Sequence, residues 1–420
     1  MSPRALSFLA LAAWLSLPTC PAADVTKSLS QDVYVWQRDW NQPVREALAE
    51  HASNFQEIIA LKADVTWRKG QPQLAQVALD YAALRNANVP VGLALRVGPY
   101  PGPFSSDNKA AVFLTGLASA MIAEAKAGGL KPCELQVDFD CASSKLDGYR
   151  VWVEAIRPTI APVPLTITAL PDWLDQPAFG RLAAATDGYV LQVHSLHAPV
   201  SADAPFTLCD PAAGRRAVDR AGGFTVPFRV ALPTYGYLVA FDHSGKFAGL
   251  SAEGPNRNWP PDVQVREVRT DPLEIARLVQ IWMDHRPTAM RGFIWYRLPV
   301  ADDSLNLRWP TLAAMMAGHL PREQVHAAVR RVEPGLVEIS LVNDGELDIS
   351  SRLAVEVRWQ NARMVAGDGL GGFDLADDGP SAARFQTDNN DRRLPAGEKR
   401  IIGWLRLSED REVRCEIKKG

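Results

Sequence analysis

What most constrains the fold of this chain is a rhythm. Between residues 33 and about 318, short apolar runs alternate with longer amphipathic segments. The apolar runs are VYVWQR (33–38), FQEIIALKADVTW (55–67), VPVGLALRVG (89–98), CELQVDFD (133–140), VPLTITAL (163–170), GYVLQVHSL (188–196), FRVALPTYGY (228–237) and MRGFIWYRLP (290–299). Each is about as long as a strand buried on both faces. The stretches between them read as helices, such as 271–285, which opens TDPLEIARL, and 71–86, where Leu74, Val77, Ala78, Tyr81 and Leu84 fall on one stripe. Eight strand–helix units predict an α/β fold, a (β/α)8 TIM barrel over residues 30–320. An open doubly wound sheet would instead carry a GxGxxG fingerprint after its first strand, and the sequence has none there.

After GHLPRE (318–323) the texture changes. LVEISLVN (336–343), LAVEVRW (353–359), RIIGWLRL (400–407) and EVRCEI (412–417) are short strand-like runs separated by Gly, Asn and Asp turns. They predict a small all-β sandwich, Ig-like, over residues 324–420. The acidic, glycine-rich stretch GDGLGGFDLADDGP (367–380) lacks the ligand spacing of a calcium loop and is expected to be a solvated loop.

Residues 1–23 have the make-up of an export signal: Arg4, the apolar core ALSFLALAAWLSL, and PAAD for cleavage after Ala22 or Ala23. The expected location is periplasmic or secreted. Cys20 offers an alternative, a lipid anchor on a membrane-attached lipoprotein, and no transmembrane segment is expected later in the chain. A net charge of -3 without basic runs argues against a nucleic-acid partner. The five cysteines, at 20, 133, 141, 209 and 415, show no metal-ligand spacing and are expected as free, buried thiols. No metal and no other cofactor is expected.

A barrel of this kind gathers its site at the carboxyl ends of its strands. The residues there are Trp36 and Arg38, Asp64 and Trp67, Arg96 and Tyr100, Asp138 and Asp140, Gln192 and His194, Tyr235 and Tyr237, and Tyr296 and Arg297. Gln136, Asp138 and Asp140 alternate along one strand and share a face. Two neighbouring carboxylates resist ionisation unless hydrogen bonds or a ligand compensate them. The pair either caps the following helix and holds a loop, or does acid–base work.

Three strand ends together resemble the family-eighteen glycoside hydrolases, the chitinase family. LQVDFD resembles its Asp-x-Asp-x-Glu strand, VALPTYGYLVAFD its PxYG strand, and RGFIWYRLP its glycine-to-tryptophan strand. The branch it resembles most is that of exported bacterial enzymes acting on peptidoglycan. With its opening VYVWQRDW and its sandwich tail, the whole chain is also similar to a bacterial domain-of-unknown-function family. Two registers fit the catalytic strand. In one, Asp138 and Asp140 match the two aspartates and Ala142 falls where the glutamate belongs. In the other, preferred here, Gln136, Asp138 and Asp140 take the three positions and aspartate stands in for glutamate.

The resemblance implies substrate-assisted cleavage of an N-acetylated glycan, with Asp140 as proton donor, Asp138 orienting the acetamide and Tyr235 hydrogen-bonding it. A carboxyl one methylene shorter than glutamate puts the acid at a different reach, and a misplacement of about 1 Å costs on the order of a hundredfold. Gln192 and His194 stand where the family has Met-x-Tyr-Asp; His194 reads as a hydrogen-bonded wall residue or a catalyst. Trp36, Trp295 and Tyr296 stack on sugars or pack the barrel, with Tyr296 in the family tryptophan's place and Trp295 facing the opposite way. Tyr237 joins the substrate-binding set. Arg38, Arg96 and Arg297 either line a pocket suited to anionic glycans or bridge to Asp138 and Asp140. The two functional expectations are an exported glycoside hydrolase acting on peptidoglycan or an exopolysaccharide, and an inactive glycan-binding or envelope-assembly protein. Deacetylation would require a metal cluster that the sequence does not carry.

Overall fold

The computed structural model describes residues 28–195, 199, 201–251, 259–260, 262–350, 353–387 and 393–419. The expected export signal at 1–23, with Cys20, lies outside the described residues. The first half of the barrel comprises β1 (Ser30–Val35), α1 (Gln42–His51), β2 (Ile58–Arg68), β3 (Gln71–Gln76), α2 (Tyr81–Asn86), β4 (Val91–Val97), α3 (Lys109–Ala127), β5 (Leu135–Phe139) and α4 (Leu146–Ile160). The second half comprises β6 (Leu165–Ala169), α5 (Pro177–Ala184), β7 (Gly188–Gln192), α6 (Pro211–Ala221), β8 (Phe228–Pro233), β9 (Gly236–Phe241), β10 (Phe247–Ser251), β11 (Gln264–Arg269), α7 (Pro272–Asp284), β12 (Met290–Tyr296) and α8 (Trp309–Met316).

Strands β1, β2, β4, β5, β6, β7, β8 and β12 pair in parallel in that order, and β12 returns to β1, so the sheet closes. All eight apolar runs supply one stave each. Because helices cover the outside and side chains fill the inside, the staves are buried on both faces, which is why they read as nearly continuous apolar runs. The helices start where the sequence provides caps: Asn41, Asn108, Asp210 and Asp271 each accept a backbone N–H in the first turn. At the closing seam Ser30 lies opposite Gly292. A Cβ at 292 would overlap the Ser30 side chain and come within 2.5 Å of its carbonyl oxygen, so this stave fits only with glycine. Helix α3 is the one described helix long and apolar enough, by length and composition, to cross a membrane; in this fold it packs through Leu114, Ala118 and Met121.

Two expectations are corrected inside the barrel. Residues 71–86 are not one helix. Strand β2 runs eleven residues, and its end is paired by β3 in antiparallel fashion, from Ala63 opposite Gln76 to Arg68 opposite Gln71. The two-residue turn at Lys69 and Gly70, both at positive φ, sets up this hairpin, and backbone pairing overrides the helical stripe. Only Tyr81–Asn86 is helical; Leu74 is exposed, whereas Val77 and Leu84 are buried. The run 228–237 is not one strand either. It ends at Pro233, and β9 opens a separate antiparallel sheet in the order β10-β9-β11.

Beyond the barrel come β13 (Val325–Glu333), β14 (Leu336–Asn343), β15 (Leu353–Trp359), β16 (Met364–Gly369), β17 (Asp374–Asp377), β18 (Ala382–Gln386), β19 (Lys399–Leu407) and β20 (Val413–Lys419). They form two four-stranded antiparallel sheets, β13-β14-β19-β16 and β17-β18-β15-β20, around a core that includes Ile339, Val355, Val357, Phe385 and Leu405. The stretch 367–380 is not a free loop. Its two ends belong to β16 and β17, one on each sheet, and Phe373 between them is buried in the core. Cys133, Cys141, Cys209 and Cys415 are free thiols, two of them buried and two half-buried; burial pushes Cys141, Cys209 and Cys415 up to about 12.

Candidate active site

A cavity of about 600 Å³ opens at the carboxyl ends of the staves. Of the expected residues, Asp138, Asp140, Tyr235, Trp36, Arg38, Arg96, Gln192, His194, Tyr237 and Tyr296 line it. Strand β5 explains how both carboxylates arrive there. Its even-numbered residues face the barrel axis, so Glu134, Gln136, Asp138 and Asp140 form a column from floor to rim. At the floor, Arg229 bonds Asp32 and Glu57 at 3.0 Å and Glu134 at 2.5 Å. One step up, Gln136 donates to Glu134 and accepts from the Tyr34 hydroxyl, each at 2.7 Å. Above it, Asp138 accepts from the Thr168 hydroxyl at 2.7 Å, and Asp140 is exposed at the rim.

The mouth carries alternating charge across neighbouring staves. Asp64 on β2, Arg96 on β4 and Asp138 on β5 are direct register partners. One oxygen of Asp64 meets Arg38 at 3.0 Å and Arg96 at 3.3 Å, and Arg96 Nε lies 3.9 Å from Asp138 Oδ2. No arginine forks both members of the Asp138–Asp140 pair among the described contacts. Burial, and then the charge of Asp140, push the Asp138 carboxyl up to about 7, against the pull of Thr168 and Arg96. Asp140, though accessible at the rim, has enough protein packed around its carboxyl that desolvation raises it too, with Arg96 pulling the other way. For Arg96 burial works against the charge, but Asp138 and Asp64 outweigh it and hold the guanidinium cationic.

The opposite wall is built from rings and hydroxyls. Tyr235 OH lies 3.2 Å from His194 Nδ1 and 3.1 Å from Tyr237 OH, and Tyr237 also bonds Ser195 Oγ. Complete burial pushes His194 down to about 3, so its imidazole is neutral, the state of a wall residue. Its ring stacks on Tyr296, which in turn meets Tyr34, Trp36 and Tyr235 edge-on at centroid distances of 5.3–5.7 Å. Tyr235 is fixed from behind, where Thr270 donates its hydroxyl to the Tyr235 carbonyl at 2.7 Å. Strand β10 adds Leu250 and Ser251 to this side.

Three of the expected substrate-binding residues do not reach the cavity, and of the other strand-end residues Asp64, Trp67 and Tyr100 do not line it either. Gln136 lies beneath it, covered by Tyr34. Trp295 is fully buried on the outer face of β12 and donates its indole N–H to Gln31 at 2.8 Å, because adjacent residues of a strand face opposite ways. Arg297, just past the end of β12, is buried and paired with Asp303 at 2.6 Å. Conversely, the cavity includes Tyr34, Thr168 and Ser195, which the expectation omitted. Tyr34 shares a period-two face with Trp36 and Arg38, and Thr166 and Thr168 are the polar alternation within an apolar stave, so both had a sequence signal. Ser195 had none. His197 lies outside the described residues, and among those described no group of three or more His, Cys, Asp or Glu side chains has metal-binding geometry.

No curated protein matches the sequence. Among solved structures, the chain is similar to chitinase ChiA74 from Bacillus thuringiensis, at 10% identity over 93% of this chain and 100% of that one, with a TM-score of 0.48. It is also similar to a chitinase from Chromobacterium violaceum, at 14% identity over 69% of this chain and 99% of that one, with a TM-score of 0.49. The spore cortex-lytic enzyme SleL of Bacillus cereus gives 12% identity over 70% of this chain and 75% of that one, again with a TM-score of 0.49. By sequence, residues 100–301 match the family described as a domain of unknown function (DUF3142), and residues 326–408 match a second such domain (DUF8456).

Proposed function

We propose that the chain is an exported glycoside hydrolase acting on an N-acetylated glycan, peptidoglycan or an exopolysaccharide, with Asp140 as the acid and Asp138 as its partner. The observation that carries this reading is the carboxyl pair on the inward face of β5, at the mouth of a cavity walled by Trp36, Tyr235 and Tyr296. Two neighbouring carboxyls that both resist ionisation keep a proton within the pair; Asp138, raised to about 7, holds it at rest, and in this reading it passes to Asp140 when substrate is bound, leaving Asp138 charged. One neutral and one charged carboxyl are what acid catalysis with an anionic stabiliser requires.

In this mechanism the Asp140 carboxyl protonates the glycosidic oxygen as the bond from that oxygen to the anomeric carbon breaks. The carbonyl oxygen of the sugar's own acetamide attacks the same carbon, and Asp138 steadies the positive ring that forms. Tyr235, held by His194 and Tyr237, hydrogen-bonds the acetamide. Water then opens the ring, giving its proton to Asp140, and the product keeps its anomeric configuration. Export is supported by the composition of residues 1–23.

The reading without turnover, a glycan-binding or envelope-assembly barrel, is favoured by one observation: Asp138 already has a counter-ion, Arg96, at 3.9 Å. Release of reducing ends from peptidoglycan and other amino-sugar polymers, by wild type and Asp140→Asn, separates the two. Release by wild type alone supports the hydrolase. Equal release by both removes Asp140 from the mechanism, and binding with no release by either favours the binding protein.

A further inference from the structure

Asp64, Arg96 and Asp138 occupy facing positions on three consecutive staves, a negative, a positive and a negative charge in one row across the cavity mouth. We propose that Arg96 is a positioning residue that sets how tightly the Asp138–Asp140 pair holds its proton, and that Asp64 sets how strongly Arg96 acts. This rests on the reading of that pair given above.

The argument is geometric. Arg96 Nε stands 3.9 Å from Asp138 Oδ2, near enough for a guanidinium charge to favour the ionised carboxyl. The same side chain reaches back with Nη1 to Asp64 Oδ2 at 3.3 Å, so Arg96 is held between two carboxylates. Asp64 is itself enclosed, with its side chain 13% exposed and its Oδ2 also bonded to Arg38 at 3.0 Å. Screening by water is therefore weak on the Asp64 side and stronger around the half-exposed guanidinium.

The other groups facing Asp138 are fixed in kind. Asp140 lies on its own strand, Thr168 on β6 donates a neutral hydrogen bond, and Tyr34 on β1, Tyr296 on β12 and Tyr149 on α4 are phenols that stay protonated through neutrality. Arg96 is thus the cation this row sets against Asp138. The charges act in the same sense: Arg96 eases ionisation of both members of the pair, while Asp64 opposes it at Asp138.

The test needs no substrate. Carboxyl resonances of protein labelled with 13C-aspartate, assigned with Asp138→Asn and Asp140→Asn, are followed against pH in wild type, Arg96→Gln and Asp64→Asn. Arg96→Gln is expected to move the midpoint of the pair up by about one pH unit or more. Asp64→Asn is expected to move it down, because it removes a negative charge and releases Arg96 toward Asp138. Opposite signs are the signature of charge tuning, since loosened packing would move both variants the same way; if Arg96→Gln does not fold, the Asp64→Asn shift still decides. A wild-type pair that titrates near neutrality but is unmoved by either variant, or shifts the same way in both, overturns this inference and leaves the hydrolase reading standing. A wild-type pair that titrates wholly in the ordinary carboxylate range overturns both.

Discussion

Arg96 and Asp138 are direct partners on neighbouring parallel staves, and the guanidinium of one lies 3.9 Å from the carboxylate of the other. The catalytic candidates are therefore coupled through the sheet as well as through the solvent of the cavity. Removing Asp140, the proposed proton donor, should leave this row intact. Asp140→Asn is expected to lower release of reducing ends by about 10²- to 10⁴-fold with glycan binding retained. A reducing-sugar assay beside a binding isotherm checks both halves.

The raised carboxyl of Asp138 makes stability depend on pH with a definite sign. Its folded value, about 7, lies above the ordinary aspartate value of 3.8, so the folded state holds a proton that the unfolded state releases. This contribution is fully present below about pH 4 and is lost as pH rises through about 7. Relative to Asp138→Asn, the wild type should lose about 2–3 kcal/mol between pH 5 and pH 8, read from melting curves of the two proteins across that range.

Tyr235 is bonded to His194 and Tyr237, and its ring meets Tyr296. Tyr235→Phe keeps the ring and removes the hydroxyl. The expected result is a stability loss of about 1–2 kcal/mol, for buried partners left unpaired, with a far larger fall in kcat than in folding. Chemical unfolding and turnover measured on the same sample decide it.

At the opposite end of the lumen, Arg229 serves Asp32, Glu57 and Glu134 at once. Arg229→Met should cost about 3–5 kcal/mol at neutral pH, because the buried Asp32 and Glu134, with the partly exposed Glu57, lose their cation. The loss should shrink toward acid, where carboxyls that have lost their cation can take up protons instead, and urea titrations at pH 5 and pH 7.5 give the comparison.

The closing seam offers a purely steric test. Gly292→Ala places a Cβ against the backbone of Ser30, which neither stave can vacate without breaking pairing. A loss of about 3 kcal/mol is expected, read as a lower unfolding midpoint with an unchanged denaturant slope.

Much of this was legible in the sequence, for a physical reason. Staves covered on both faces must be apolar throughout, and the eight runs stand out against amphipathic helices. The period of two along β5 brought Asp138 and Asp140 to one face, and the same rule set Trp295 opposite Tyr296, although Trp295, counted among the expected sugar-binding residues, is buried packing. What escaped was set by pairing and by local chain breaks. The stripe at 71–86 looked helical because nothing local reveals that the end of β2 needs a partner. Strand β9 was merged with β8 because Pro233 and Gly236 interrupt a run whose apolar character continues on both sides. Arg297 lies past the end of β12, where alternation no longer fixes direction, and Asp303 captures it.

The sheet of β9, β10 and β11 supplies Tyr237, Leu250 and Ser251 to one side of the cavity, whereas the carboxyls stand on β5, a stave of the closed cylinder. Part of the cavity wall and the carboxyl pair thus belong to separately hydrogen-bonded frameworks. A shift of the appended sheet would reshape that side of the cavity while Asp138 and Asp140 keep their places.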